Sequence, residues 1–181
     1  NLTIGLQTLM TNDVVSVSGS GAFSQSNVSR SANGSVVSNV AYVLSGLSLS
    51  GADAGNYLLS AGSSMNGTNG TINPVNISSI TNITASNKVY DTTTTAVLCT
   101  TSAIFNGVVN GDALTVATAT GTFANKNVGT GKTVSISGLT LGGSSSSNYD
   151  LISTVASTTA NITQVNLSVS GATATGKVYD G

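Results

Sequence analysis

Thr133-Val134-Ser135-Ile136-Ser137-Gly138-Leu139-Thr140-Leu141 is the stretch that decides the fold. Val134 and Ile136 alternate with polar residues, so both face the same side of an extended strand. Leu139 and Leu141 alternate as well, but on odd positions. One residue has been inserted at Ser137-Gly138 without loss of the apolar face. A β-bulge does this, and glycine supplies the positive φ that such a bulge can require. The first half of the chain repeats the device, with Tyr42 and Leu44, then Ser45-Gly46, then Leu47 and Leu49. The same phase shift at Gly46 and Gly138 is a specified strand bend.

Outward from this segment, other landmarks recur in the same order. Asp13 matches Asp112, Phe23 matches Phe123, and Asn27-Val28 matches Asn127-Val128. Asn56-Tyr57 matches Asn148-Tyr149, and Ile72 matches Ile162. Lys88-Val89-Tyr90-Asp91 returns as Lys177-Val178-Tyr179-Asp180, 89 residues on. The chain is therefore a stretch of a tandem array with one module per ~90 residues. The expected organisation is an N-terminally truncated module over 1–75, a module over 76–165, and the first strand or strands of a following module over 166–181. No flexible linker separates them, so neighbouring modules should touch.

Strand signals are short and bounded by turns rich in Asn and Gly, such as Asn125 to Gly131. No capped run of i, i+3, i+4, i+7 apolar spacing indicates a helix. Six to eight short strands in ~90 residues predict an all-β fold of tandem antiparallel, immunoglobulin-like β-sandwich modules. A parallel β-helix is the alternative. Its coils would need a subperiod of ~20–25 residues, and none is present.

Composition narrows the function classes. Charged residues make up 6% of the chain, against roughly 25% in ordinary soluble domains. The net charge is −1 and the five basic residues are scattered, which leaves no phosphate-binding stripe and no reason to expect nucleic acid. Mean hydropathy is +0.26, so this is not the low-hydropathy, high-charge pattern of disorder. No apolar run reaches the ~18 residues that a membrane-spanning helix needs. The single Cys99 cannot form an internal disulfide, and a buried thiol is the expected state.

Catalysis finds little to work with. The chain has no His and no Glu, so no Ser-His-Asp or Cys-His relay can be assembled. Asp13 and Asp112 occupy equivalent turns, where Asp bonds its own backbone. Calcium would suit loops holding Asp53, Asp112 and Asp150, but no Asp-x-Asp-x-Asp-Gly loop exists and no metal or cofactor is expected. A Lys–Asn isopeptide crosslink at Lys88 or Lys177 is disfavoured. Lys and Asp three apart in a strand point to opposite faces, so these lysines read as edge-strand guards. Tyr90 and Tyr179, with Tyr57 and Tyr149, read as core or seam anchors whose hydroxyls reach polar partners. Asn-x-Ser/Thr sequons, including Asn27, Asn66, Asn76, Asn82, Asn161 and Asn166, are little more frequent than chance gives in so Ser-, Thr- and Asn-rich a chain.

The run Asn87-Lys88-Val89-Tyr90-Asp91-Thr92-Thr93, with Gly121 to Gly129, Gly131 to Val134 and Gly138 to Leu141, resembles the YDG-type repeat module, which is similar to the MBG-type modules. Ser50 to Tyr57 fits the same pattern. Lys177-Val178-Tyr179-Asp180-Gly181 carries the full Tyr-Asp-Gly signature, whereas Thr92 replaces the glycine in the middle copy. The resemblance implies long arrays in large bacterial surface proteins of the filamentous-haemagglutinin-like adhesin kind, an extracellular location and no catalytic residues. The expected function is structural, a repeat that extends or assembles a surface fibre by module stacking and strand pairing. Its partners would be neighbouring modules of the same or adjacent chains, up to a homopolymer. The alternative is an adhesive module that binds surface glycans weakly at each site and relies on avidity.

Overall fold

The computed structural model describes residues 4–181. It is all-β apart from two single-turn 3-10 helices, at Ala54–Asn56 and Ser146–Asn148. The described residues form two compact units. Unit 1 runs up to Asn76 and takes in Ser144–Asp150; unit 2 comprises Ile77–Gly143 and Leu151–Gly181. The division falls one residue from the expected seam at 75. Residues 144–150, expected with the middle module, pack with unit 1 instead.

Unit 1 is built on strands β1 (Ser16–Phe23), β2 (Val40–Ser50) and β3 (Ser64–Gly70), an antiparallel sheet in the order β1-β2-β3. Val40 and Leu44 are buried on β2, and Phe23 meets Tyr42 edge-to-face with centroids 6.4 Å apart. The register jumps from Ser18↔Ser48 to Ser20↔Ser45, three residues of β2 against two of β1. Gly46 sits in the bulge with φ +61°, and Leu47 beyond it is still buried. A cavity of about 550 Å³ borders this unit's apolar side, lined by Leu6, Val17, Leu47, Leu49, Leu59 and Met65 among others.

Strand β4 (Val75–Ile77) follows, paired with β13 (Tyr149–Leu151) in a two-stranded sheet. Unit 2 then contributes β5 (Ser79–Thr81), β6 (Thr84–Ala85), β7 (Lys88–Val89), β8 (Thr95–Ala96), β9 (Leu98–Cys99), β10 (Ile104–Asn106), β11 (Thr115–Phe123), β12 (Gly129–Gly142) and β14 (Ala156–Thr163). Its main sheet has the order β7-β14-β12-β11-β8; β10 pairs with β5, and β6 with β9. The bulge recurs where the sequence places it. Thr118↔Thr140 is followed by Thr120↔Ser137, and Gly138 has φ +64°. Val134 and Ile136 before the bulge and Leu139 after it are all fully buried. A second shift, between Val116↔Leu141 and Thr118↔Thr140, inserts Ala117 on the opposite strand. It has no sequence signal, because alanine fits either face.

The core cluster of unit 2 gathers Ala96, Phe123, Val134, Ala160 and Ile162, with Ala85, Tyr90 and Leu98 packed against it. Its strand pairs are antiparallel with one exception. β7 runs parallel to β14, Lys88 opposite Ile162 and Val89 opposite Thr163. The module's opening strand thus closes on its own last strand, some 74 residues downstream. Residues 164–181 carry no strand. The strand expected at 166–181 is not formed here, and the physical reason follows from β7. A two-residue edge strand exists only where a partner strand supplies hydrogen bonds.

Cys99 corrects an expectation: it is exposed, not buried. It lies on β9, whose one strand partner is the two-residue β6, so little covers it. Its sulfur is 3.3 Å from Thr101 Oγ1. That hydrogen bond holds the thiol below its ordinary pKa. Among the described residues no helix is long and apolar enough to cross a membrane.

Candidate functional site

The Lys-Val-Tyr-Asp signature is a closed hydrogen-bonded turn. β7 is only two residues long: Lys88 and Val89 pair with β14, the Tyr90 N–H still donates to Thr163 O at 2.9 Å, and then the chain bends. The bend brings Asp91 back under Lys88, with Nζ 2.8 Å from Asp91 Oδ1. The alternation argument that put Lys88 and Asp91 on opposite faces fails, because the strand ends before its third residue. The same ammonium reaches Thr93 O at 2.9 Å, Thr93 Oγ1 at 3.0 Å and Thr95 O at 3.1 Å. It also stands 5.5 Å above the Phe123 ring centroid, a cation–π arrangement. The Lys88 side chain is only 17% exposed. Although β7 is an edge strand, the lysine head turns inward and does not guard the edge. No asparagine carboxamide lies among these contacts, and the ammonium is engaged as a donor.

Asp91 completes the turn by accepting from the Thr93 N–H and hydroxyl, both at 2.9 Å, an Asx turn. The Lys88 bond first, then the Thr93 N–H and hydroxyl, lower its pKa to about 2. The sign follows directly. A carboxylate whose folded pKa lies below its ordinary 3.8 stabilises the fold fully above that ordinary value. The contribution is lost as pH falls through the folded value. Acid titration of thermal stability should therefore show a decline between pH 3.8 and about 2, and Asp91→Asn should remove this component of the slope.

Between them sits Thr92, with φ +71°. This is the left-handed region, which a β-branched side chain pays about 1–2 kcal/mol to enter. In the second copy of the signature Gly181 occupies the equivalent position at φ +87°, a conformation that glycine adopts without steric cost. Thr92→Gly should stabilise the protein by roughly 0.5–1 kcal/mol, after subtracting the unfolded-state entropy that glycine adds. Chemical denaturation with an unchanged m-value would verify it. In that second copy Lys177 Nζ and Asp180 Oδ2 make the same i,i+3 pair at 2.5 Å, both side chains exposed. Val178 and Tyr179 are exposed too. Asn87, just before the signature, accepts from the Asn161 N–H at 2.7 Å, and Asn161 Oδ1 accepts from Gly131 N–H at 2.7 Å.

A second constellation lies within unit 1. The turn Asn27-Val28 receives the loop that ends in Asn148-Tyr149. Asn148 Oδ1 accepts from the Val28 N–H at 2.9 Å, and its Nδ2 donates to Asn27 Oδ1 at 3.0 Å. Arg30, the single arginine, clamps the same loop through Nε to Ser147 O (2.7 Å) and Nη2 to Tyr149 O (3.2 Å) and Asp150 Oδ1 (2.9 Å). Tyr149 is buried. Arg30 carried no sequence signal beyond its uniqueness, because its partners lie about 120 residues away. The equivalent Tyr57 is half-buried. Its hydroxyl donates to Asp13 Oδ2 at 2.5 Å and accepts from the Met10 N–H at 3.1 Å. The Asp13 bond raises the phenol pKa. Asn56 closes its 3-10 turn through its N–H to Asp53 O at 3.0 Å, and Asp53 Oδ2 accepts from Val14 N–H at 2.8 Å. Asp13, Asp53 and Asp150 thus serve local architecture.

Two copies of one strand, bulge and 3-10 turn plan, without a catalytic constellation among the described residues, define an all-β repeat protein. Residues 73–160 match the model of the YDG domain family, so this segment is similar to a YDG-type module. The match opens beside Pro74 and ends inside β14, so it spans the strands from β4 through most of β14. Neither the curated proteins nor the solved structures gave a match.

Proposed function

We propose that this chain is a structural segment of an extracellular bacterial surface fibre or adhesin stalk, in which YDG-type modules stack in series and carry load. The observation that carries the reading is the twofold occurrence of one plan, in which Gly46 and Gly138 hold the same bulge and Asn56 and Asn148 end the same turn. A nearly uncharged polar surface and the inward-turned signature lysine Lys88 suit packing of module on module. Strand pairing between adjacent chains would extend such an array laterally, with β7 and β8 at the edges of the main sheet. Weak adhesion to surface glycans stands second, since aromatic residues, on which sugars stack, are 4% of the chain and Trp is absent.

Antibodies raised against the chain should label intact, unpermeabilised cells that produce it. Electron microscopy should then show labelled filaments with a regular axial step of one module. Labelling that appears only after permeabilisation would refute the surface reading.

A further inference from the structure

Resting on that stacking reading, we propose that the turn Asn127-Val128 is a docking site for the Asn56-Tyr57 loop of a second copy of this chain. Unit 1 makes this contact once, between Asn27-Val28 and the loop ending in Asn148-Tyr149. Both halves of it occur again, and there neither the Asn56 carboxamide nor the Val128 N–H is engaged by another described residue.

The receiving half is equivalent in detail. Residues 24–28 and 124–128 share one backbone pattern after Phe23 and Phe123. The Ser24 N–H donates to Ala41 O at 2.9 Å, and the Ala124 N–H donates to Thr133 O at 3.0 Å. Yet Val28, whose N–H is taken by Asn148, is 7% exposed, while Val128 is 47% exposed. Among the described residues nothing accepts from the Val128 N–H. The two groups that bind Asn148 in unit 1, an asparagine side chain and a valine N–H, therefore face solvent in unit 2.

The donor half is equivalent too. Ser50–Tyr57 and Gly142–Tyr149 have the same length and each ends in a 3-10 turn. The tyrosine that follows the turn has φ −123° and ψ 150° in the first, and φ −130° and ψ 150° in the second. Asn56 is exposed, with its carboxamide at the position from which Asn148 reaches its turn.

The charges agree with the pairing. Arg30 clamps Asp150 where the contact is already made. In the free halves the counterpart of Arg30 is Thr130 and that of Asp150 is Leu58. Cation and anion are missing together, so docking would bury neither charge alone, a burial that would oppose association. Leu58 is 93% exposed and supplies an apolar contact beside Val128. Donor and receiver are different surfaces, so the association is heterologous and grows head to tail.

The test is sedimentation of the whole 181-residue protein from micromolar to near-millimolar concentration, in the Cys99→Ser background to prevent disulfide dimers. The unaltered surface should associate progressively. Val128→Asp (receiver lost) and Asn56→Ala (donor lost) should each weaken association at least about tenfold, with unchanged circular dichroism. Mixing the two variants should give a one-to-one dimer that grows no further, because each retains one working half. Association by Val128→Asp at the strength of the parent would overturn the docking site and leave stacking through another surface. Absence of association by the parent would overturn the docking proposal too, while the surface-fibre reading would still stand or fall on labelling of intact cells.

Discussion

Phe123→Ala should destabilise unit 2 by about 4 kcal/mol, the upper range for removing a fully buried aromatic ring. The ring is 1% exposed and packs with Val134, Ala160 and Ile162. β11, β12 and β14 converge on it, so no neighbouring strand can move in without breaking a ladder. The loss therefore combines transfer of the ring to water with the cavity left behind. Phe23 provides the internal comparison. It holds the equivalent position but is only half-buried, so Phe23→Ala should cost about half as much. Urea unfolding followed by circular dichroism would measure both. Equal losses would mean that burial does not set the cost here.

Lys88→Met comes next in size, with an expected loss of about 2–3 kcal/mol. Methionine fills the space over Phe123 but donates nothing. Asp91 Oδ1 and the carbonyls of Thr93 and Thr95 lose their shared donor, and the cation–π contact with Phe123 goes as well. Because the carboxylate is half exposed, water recovers part of the loss, which keeps the figure below that for a fully buried pair. Lys126→Met, at an exposed lysine, should move stability by less than about 0.5 kcal/mol. The same pair of denaturation midpoints decides the matter. If Lys88→Met also fell within that margin, the signature lysine would not be holding the turn.

The two effects should couple. Lys88 stands on the face of Phe123, so removing the ring first removes part of what the lysine contributes. In a double-mutant cycle the summed single losses should exceed the double loss. Such coupling gives the Lys-Val-Tyr-Asp signature a physical meaning. It ties the module's first strand to its last through the β7–β14 pairing, and caps the aromatic core with the same lysine.

What this sequence determined alone is what periodicity and local chain chemistry can carry. Val134, Ile136, Leu139 and Leu141 announced both a strand and its bulge, because apolar residues must keep one face whatever the register. The repeat followed from order and spacing, and the requirement for positive φ at Gly46 and Gly138 followed from the bulge. Tertiary structure decided what depends on distant partners. It bent the chain after Val89 so that Lys88 met Asp91, and it placed Thr92 in a conformation suited to glycine. It exposed Cys99 on a two-stranded edge, and joined Arg30 to Asp150 across 120 residues. Each of these rests on which backbone ends beside which. Local pattern is silent on that, because a side chain's spacing fixes its face but not its neighbour.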